Sequence, residues 1–335
     1  MRQQLARAID GALEATVLPS FSSIGYHVRR RLFHWTELSE YGLEGRVVLV
    51  TGATSGLGRA AAEQLARSGA NVILLGRDAD RTHRVADELT ASTGSGSIDT
   101  VIADMGDFDA VRLAAATIRE RHDRVDVLIH NAGTLAAERS FAPDGSEVTV
   151  ASQLLGPFLL TGLLLDLLVR SAPARVITVS SGGMYTAPLS VTALEAGTSD
   201  DATTAPFDGA REYARVKRAQ VTINELWASR VPAQHVVFHA MHPGWVDTPG
   251  LRESLPTFRR MIAPILRTPA QGIDTISWLT SDDGAPLAQS GRFWHDRRPR
   301  SAHRLSSSRR AETFEERERL WALCTRRTNW NALSD

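Results

Sequence analysis

Lysine is nearly absent from this 335-residue chain: 37 of its 38 basic residues are arginine, and Lys217 stands alone. That bias, with heavy alanine use, fits a GC-rich coding genome of bacterial type. Cysteine is down to one residue, Cys324, which excludes an internal disulfide and fits a reducing, cytoplasmic compartment. Neither sign of charge is in excess, since 38 acidic residues balance the basic ones, so neither nucleic acid nor an anionic membrane is expected as the main partner, although the charge is unevenly spread. Long hydrophobic runs are missing too. The most apolar stretch, residues 154–169, is interrupted by Gly156, Pro157, Gly162 and Asp166 and reads as a buried helix, not a membrane span. No metal ion is expected. With 43% hydrophobic residues, the chain suffices for one large domain with extensions or for two small ones.

Where lysine is so scarce, the place that keeps it matters. Lys217 follows Tyr213 by four residues in Tyr213-Ala-Arg-Val-Lys217. On a helix, positions i and i+4 lie on one face, so the phenol and the ammonium can share a site. A free phenol has a pKa near ~10, and a fixed cation beside it favours the phenolate, which makes a proton donor usable near neutral pH. Arginine would keep the charge but not the compact, rotatable ammonium that can also donate to a ribose hydroxyl. The plain alternative is a solvated helix face with this spacing by chance.

Residues 1–43 stand apart. Leu5, Ile9, Leu13 and Val17 recur at helical spacing, with Arg2, Arg7, Asp10 and Glu14 elsewhere and Pro19 closing the run. Asp10 and Glu14 interrupt what would be the apolar region of a signal peptide, which argues against secretion. Basic and aromatic residues then interleave from Phe21 to Trp35. Such an arm packs on the main domain or on the partner in a homodimer, or makes a peripheral membrane contact.

Regular alternation begins at Arg46. Residues 47–50 form a short apolar strand, 51–58 read Thr-Gly-Ala-Thr-Ser-Gly-Leu-Gly, and a helix-forming run follows over 59–68. Gly52, Gly56 and Gly58 allow a tight turn and close backbone approach. The helix N-terminus offers free N–H groups and the positive end of its dipole to a pyrophosphate. The spacing is G-x-x-x-G-x-G, not the G-x-G-x-x-G dinucleotide fingerprint. A glycine turn alone can be structural; its place between strand and helix makes it a nucleotide loop. A second strand, 71–75, ends in Gly76-Arg77, where an acidic residue would bind the free 2′-hydroxyl of an adenosine ribose. Glycine and arginine there suit a 2′-phosphate, so NADP(H) is expected over NAD(H); Asp78, one step on, fits a helix cap. A third strand, 100–103, leads to Asp104-Met105, placed to touch adenine, and a fourth, 125–129, leads to His130-Asn131-Ala132-Gly133. Strands alternating with helices at this period predict an α/β, Rossmann-type, doubly wound parallel sheet in three αβα layers.

Residues 51–58, Asp104, Asn131-Ala132-Gly133, Val179-Ser180-Ser181, Tyr213 to Lys217 and Pro243 to Thr248 stand in the order found in the short-chain dehydrogenase/reductase family. The chain resembles that family over roughly residues 44 to 295. Within it, residues 176–184 and 241–250 look most like the branch named for dehydrogenase/reductase SDR family member 12. The resemblance implies an oxidoreductase that interconverts a carbonyl and an alcohol with NAD(P). It implies that Ser181 donates to the substrate oxygen and that Tyr213 protonates the alkoxide as hydride arrives. Lys217 would depress the Tyr213 pKa and bind the nicotinamide ribose, and Ser180 would be structural. Implied cofactor contacts come from Gly52, Thr54, Ser55, Gly56, Leu57 and Gly58, from Arg77, Asp104 and Met105, and from Asn131, Ala132 and Gly133. Tyr213, Lys217, Pro243, Gly244, Val246 and Thr248 complete them, the last holding the carboxamide. His242 is either a proton donor or a packed histidine, and Tyr213 already fills the donor's role.

Two features depart from the family pattern. Its fourth catalytic residue, an asparagine in Asn-x-Leu-Gly, falls on Gln153, and no asparagine occurs between Asn131 and Asn224. The family's asparagine holds a helix kink and a water of the proton relay; glutamine offers the same amide on a stem one methylene longer. If that displaces the relay, the chain would be an NADP-binding regulatory or scaffold protein. Second, 32 residues separate Ser181 from Tyr213, against about a dozen in compact members. The insert holds the polar run 198–206, expected to be mobile at the substrate mouth. Leu251, Leu255, Phe258, Met261, Ile262, Ile265 and Leu266 then form an apolar segment where the family carries its substrate lid. That points to an apolar, lipid-like substrate, or to ordinary packing on the sheet.

Residues 296–335 change character again. Asp296 to Arg300 and Arg309-Arg310 read as basic loops, followed by a helix with Phe314, Leu320 and Leu323 whose charged run 315–319 reads as a solvated face. The alternatives for that run are pairing with the N-terminal arm or an anionic membrane surface. The expectation is one catalytic domain over 44–295, with extensions at 1–43 and 296–335, in a chain that can form a homodimer or homo-oligomer.

Overall fold

The computed structural model describes residues 2–95, 97–196 and 206–331. Among them the strands are β1 (Val47–Thr51), β2 (Asn71–Gly76), β3 (Ile98–Ile102), β4 (Val127–His130), β5 (Ala174–Val179), β6 (Val236–Met241), β7 (Arg292–His295) and β8 (Arg298–Arg300). They form one sheet in the order β3-β2-β1-β4-β5-β6-β7-β8. All neighbours pair parallel except β8, which returns antiparallel on β7. The chain runs outward from β1 to β3 and then crosses back to β4, so strand order reverses between β1 and β4. The crevice at the carboxyl ends of those two strands is where such a sheet binds ligands.

The helices are α1 (Arg2–Ala15), α2 (Val17–Phe21), α3 (Ser23–Leu32), α4 (Gly56–Arg67), α5 (Ala79–Thr93), α6 (Phe108–Arg121), α7 (Val148–Val150), α8 (Gly156–Leu163), α9 (Leu165–Arg170), α10 (Val191–Glu195), α11 (Gly209–Arg230), α12 (Pro249–Ser254), α13 (Pro256–Ile262), α14 (Pro269–Ser281), α15 (Ser306–Ala311) and α16 (Phe314–Thr328). Alternation along β1 divides the interior: Val47 and Leu49 join one core with α6, α8, α11 and α16, and Val48 and Val50 join the other with α4, α5 and α14. Asp78 caps α5 through the Arg81 N–H at 2.8 Å, and Asp208 caps α11 through that of Arg211 at 3.1 Å. The apolar stretch 154–169 is buried, as its interruptions predict.

Both extensions pack into the domain. Arg29 of α3 is wholly buried and donates to Asp10 of α1 and Asp296 of the β7–β8 hairpin, each at 2.7 Å. The expected loop at 296–300 is that hairpin. Asp296 and Arg297 both have positive φ, 53° and 55°, which makes the two-residue turn that joins strands of native twist. At the other end, α16 buries Leu320, Leu323 and Cys324, and Trp330 fills the space above Gly162, where a Cβ would come within 2.3 Å of the indole. The charges of α16 are not simply solvated. Arg317 bridges Glu225 and Glu312, and Glu318 pairs with Arg230. Phe314 is the residue left outside, 80% exposed.

Candidate active site

The loop after β1 is built so that backbone replaces side chains. Gly52 has φ +65°, and a Cβ there would lie 2.7 Å from the Ala132 Cα; one on Gly58 would lie 2.3 Å from the Gly52 carbonyl oxygen. Asn131 braces this turn: its Nδ2 donates to the carbonyls of Thr51 at 3.0 Å and Gly52 at 3.3 Å. The N–H groups of Asn131 and Ala132 both donate to Thr51 Oγ1 at 3.0 Å. Ser55 takes the N-cap position of α4 in extended conformation. The free N–H groups of that first turn, with Thr54 and Leu57 flanking, make a cradle that fits a pyrophosphate.

At the end of β2, Gly76 leaves no room for a side chain, because a Cβ would meet Thr82 Oγ1 at 2.3 Å. Arg77 is exposed, and the Asp78 carboxylate is engaged in the α5 cap. Asp104 is exposed at the end of β3, where Oδ1 accepts from the Gly106 N–H at 2.8 Å, and Met105 is buried.

Ser181 ends the segment after β5 and caps a 3-10 turn, Gly182–Thr186, by accepting from the Gly183 N–H at 3.2 Å. Burial pushes the Tyr213 phenol up to about 12, and a hydrogen bond with Ser181 acts against that rise. Lys217 lies one helical turn on, with Nζ 5.2 Å from the Tyr213 ring centroid and donating to the Val179 carbonyl at 3.0 Å. Burial pushes this ammonium down to about 7. The phenol therefore lies above its ordinary value, not below it as expected from the neighbouring Lys217. Ser180 donates to the Lys217 carbonyl at 2.9 Å, a structural link between β5 and α11.

Gln153 lies in a π-helical turn, Ala151–Leu155, and is fully buried. Its Nε2 donates to the Thr134 carbonyl at 2.6 Å, and its Oε1 is the atom that a Cβ on Gly133 would meet at 2.7 Å. Four residues later comes Pro157, which has no N–H to give the Gln153 carbonyl. Gln220, one turn beyond Lys217 on α11, supplies the donor at 2.6 Å. The sequence reading missed Gln220, although its place seven residues after Tyr213 puts it on the same helix face. Beneath it is a cavity of about 20 Å³ where the polar side chains of His130, Gln153, Thr161, Gln220 and Asn224 meet apolar ones such as Phe158 and Trp227. His130 Nε2 meets Thr161 Oγ1 at 2.7 Å, and burial lowers its pKa to about 3.

His242 is a packed histidine. It is buried, accepts from the Gly182 N–H at 3.0 Å, and meets the Phe21 ring edge-on at 4.4 Å. Phe21 and Arg267 were not legible as site residues. Arg267 donates to the carbonyls of Pro243 at 3.2 Å and Ser22 at 3.1 Å, and to Asp296. Gly244, φ +82°, packs so closely that a Cβ would lie 2.3 Å from Arg267 Nε. Val246 bridges to Arg267 through the backbone, and Thr248 caps α12, where it would lie 3.7 Å from a Cβ on Gly56, so the loops after β1 and β6 approach each other. In the apolar segment only Ile262 is buried, while Met261 is 71% exposed. Asp247 clamps the segment through Arg252 and Arg259. The polar insert expected at the mouth lies, over 197–205, outside the described residues.

A family model described as short chain dehydrogenase matches residues 46–192. Dehydrogenase/reductase SDR family member 12 of Homo sapiens is 39% identical over 264 residues, covering 79% of this chain and 80% of the relative. Retinol dehydrogenase 11 of Homo sapiens is 30% identical over 270 residues, covering 79% and 82%. Among solved structures, the NADP active-site complex of RhlG from Pseudomonas aeruginosa has a TM-score of 0.60 at 26% identity, covering 75% of this chain and 94% of that one. A crevice built for a dinucleotide and a relative of this identity along 79% of the chain agree: the protein belongs to the short-chain dehydrogenase/reductase family and is an NAD(P)-dependent oxidoreductase.

Proposed function

We propose that the enzyme interconverts a carbonyl and an alcohol on an apolar, lipid-like substrate and prefers NADP(H) to NAD(H). The observation that carries this reading is the convergence of Ser181, Tyr213 and Lys217 beside the glycine loop. The bound nicotinamide supplies or accepts the hydride. Ser181 and Tyr213 polarise the substrate oxygen, and Tyr213 gives it a proton or takes one away. Lys217 holds the ribose and, when charged, favours the phenolate. Arg77, exposed beside Gly76 with Asp78 drawn into the α5 cap, supports a 2′-phosphate. The exposed Met261 and Leu255 on the segment after β6 support an apolar substrate.

A second reading, an NADP-binding scaffold of little activity, is favoured by Gln153, whose amide goes to Thr134 and not to Lys217. NADPH oxidation across a panel of apolar ketones and aldehydes separates the two. Saturable turnover in wild type, lost in Tyr213→Phe with NADPH binding retained, supports the enzyme; absence of turnover with intact NADPH binding supports the scaffold.

A further inference from the structure

The N-terminal helix α1 is inside out. Asp10 and Glu14, one turn apart, face the domain, and Asp10 is 3% exposed. Asp10 pairs with Arg29, Arg298 and Arg300, and Glu14 with Arg29 and Arg304. The opposite face carries Leu5, Ala8, Ile9 and Ala12, all exposed, with Leu5 at 62%. Val17 and Leu18 of α2 and Ile24 of α3 continue the exposed apolar series. A helix in water normally turns its leucines inward and its carboxylates outward. Here buried ion pairs, which stand only when each charge is matched, hold the reverse orientation.

Charge identifies what covers this face. Asp10 and Glu14 are the arm's acidic residues over 1–31, and both are turned in, so its outer surface carries no carboxylate while Arg7 and Arg31 are exposed. The Arg304–Glu14 pair brings the C-terminal segment alongside, adding Leu305, 57% exposed, with Arg309 and Arg310 also exposed. Among the described residues, no ion pair takes up Arg7, Arg31, Arg309 or Arg310. Over residues 1–31 and 304–310 a neutral chain thus exposes apolar groups and cations with its two carboxylates turned inward. That combination matches the acyl boundary and headgroups of an anionic lipid surface. No helix among the described residues is long and apolar enough to cross a membrane.

We propose that the arm of α1 to α3, with the 304–310 segment, is a peripheral docking surface for anionic lipid bilayers. The contact is separate from the redox reaction, so its test does not depend on the substrate. The full chain is sedimented with vesicles of phosphatidylcholine alone and of phosphatidylcholine with phosphatidylglycerol. Binding to the second, weakened by salt, is expected. Leu5→Asp/Ile9→Asp should reduce it by about tenfold or more, since one buried leucine side chain already accounts for that. Arg309→Glu/Arg310→Glu should reduce it while leaving the apolar face intact. Both pairs are exposed, so melting temperatures near that of wild type keep the comparison valid. Equal binding to both vesicle types or to neither overturns the proposal. So does sedimentation equilibrium showing a dimer that Leu5→Asp/Ile9→Asp converts to monomer, because the face would then belong to a second copy.

Discussion

The Gln220 side-chain amide donates to the main-chain carbonyl of Gln153 at 2.6 Å, tying the helix of Tyr213 and Lys217 to the π turn. Single π turns inside α-helices are frequent at functional sites. The proline that interrupts the helix and the glutamine that repairs it lie 63 positions apart in sequence, at 157 and 220.

Replacing Gln220 tests that tie. Gln220→Leu keeps the volume and removes the donor, leaving a buried carbonyl unpaired at a cost of about 1–3 kcal/mol. The melting temperature should fall, and single-turnover hydride transfer should slow while the dissociation constant for NADPH stays within about twofold. Unchanged melting would show that the π turn is held by its own backbone.

Cofactor choice rests on one exposed side chain. Arg77→Ala removes a charge-assisted contact to a 2′-phosphate, a bond class worth about 1.5–3 kcal/mol. Isothermal titration should therefore show NADP(H) binding weakened by about tenfold or more, with NAD(H) nearly unaffected. Equal losses for the two cofactors would mean that Arg77 does not read the phosphate.

Lys217 links the site to pH. Its folded pKa, about 7, lies below the ordinary lysine value, so between pH 7 and about 10 the unfolded chain binds a proton that the folded chain does not. Stability from this group rises with pH across that window, by at most about 1.4 kcal/mol per pH unit, and is lowest at pH 7 and below. The Tyr213 phenol, raised to about 12, acts only above about pH 10, where its contribution is lost as pH rises. Urea unfolding of wild type and Lys217→Met at steps from pH 6 to 9.5 should show the variant's advantage greatest at the acid end and shrinking upward. A difference independent of pH would mean that Lys217 is charged in the folded protein throughout.

How much of this was legible follows from the range of each interaction. The glycine loop, the Tyr213–Lys217 pair and the cap at Asp78 are local patterns, readable from neighbours in the chain; Asn131 and Ser181 were placed by the family resemblance, and the Thr248 cap was not read. The folded-back termini could not be read. Arg29, Arg267 and Asp296 are separated by up to 267 positions, and nothing in a basic-aromatic run says that one arginine will be fully buried. The same long-range network sets α1 inside out, against its hydrophobic pattern, and pins the Pro243–Gly244 turn. Tyr213 and Lys217 show the converse: their adjacency was legible, but not the burial that raises the phenol and lowers the ammonium.

Gln153→Asn is the substitution that decides whether the chain has adapted to its departure from the family. If the longer amide merely misplaces a proton relay, the family residue should accelerate hydride transfer. The geometry favours the opposite result. Gln153 uses its full length to reach the Thr134 carbonyl at 2.6 Å while packing on Gly133, and Pro157 with Gln220 holds the turn without help from an asparagine. Shortening the stem removes one buried methylene, worth roughly 1 kcal/mol, and withdraws the donor from Thr134. Both the melting temperature and the single-turnover rate of Gln153→Asn should therefore fall below wild type. A faster hydride step in the asparagine variant would show that the glutamine is a defect in the relay and not a rebuilt part of the site.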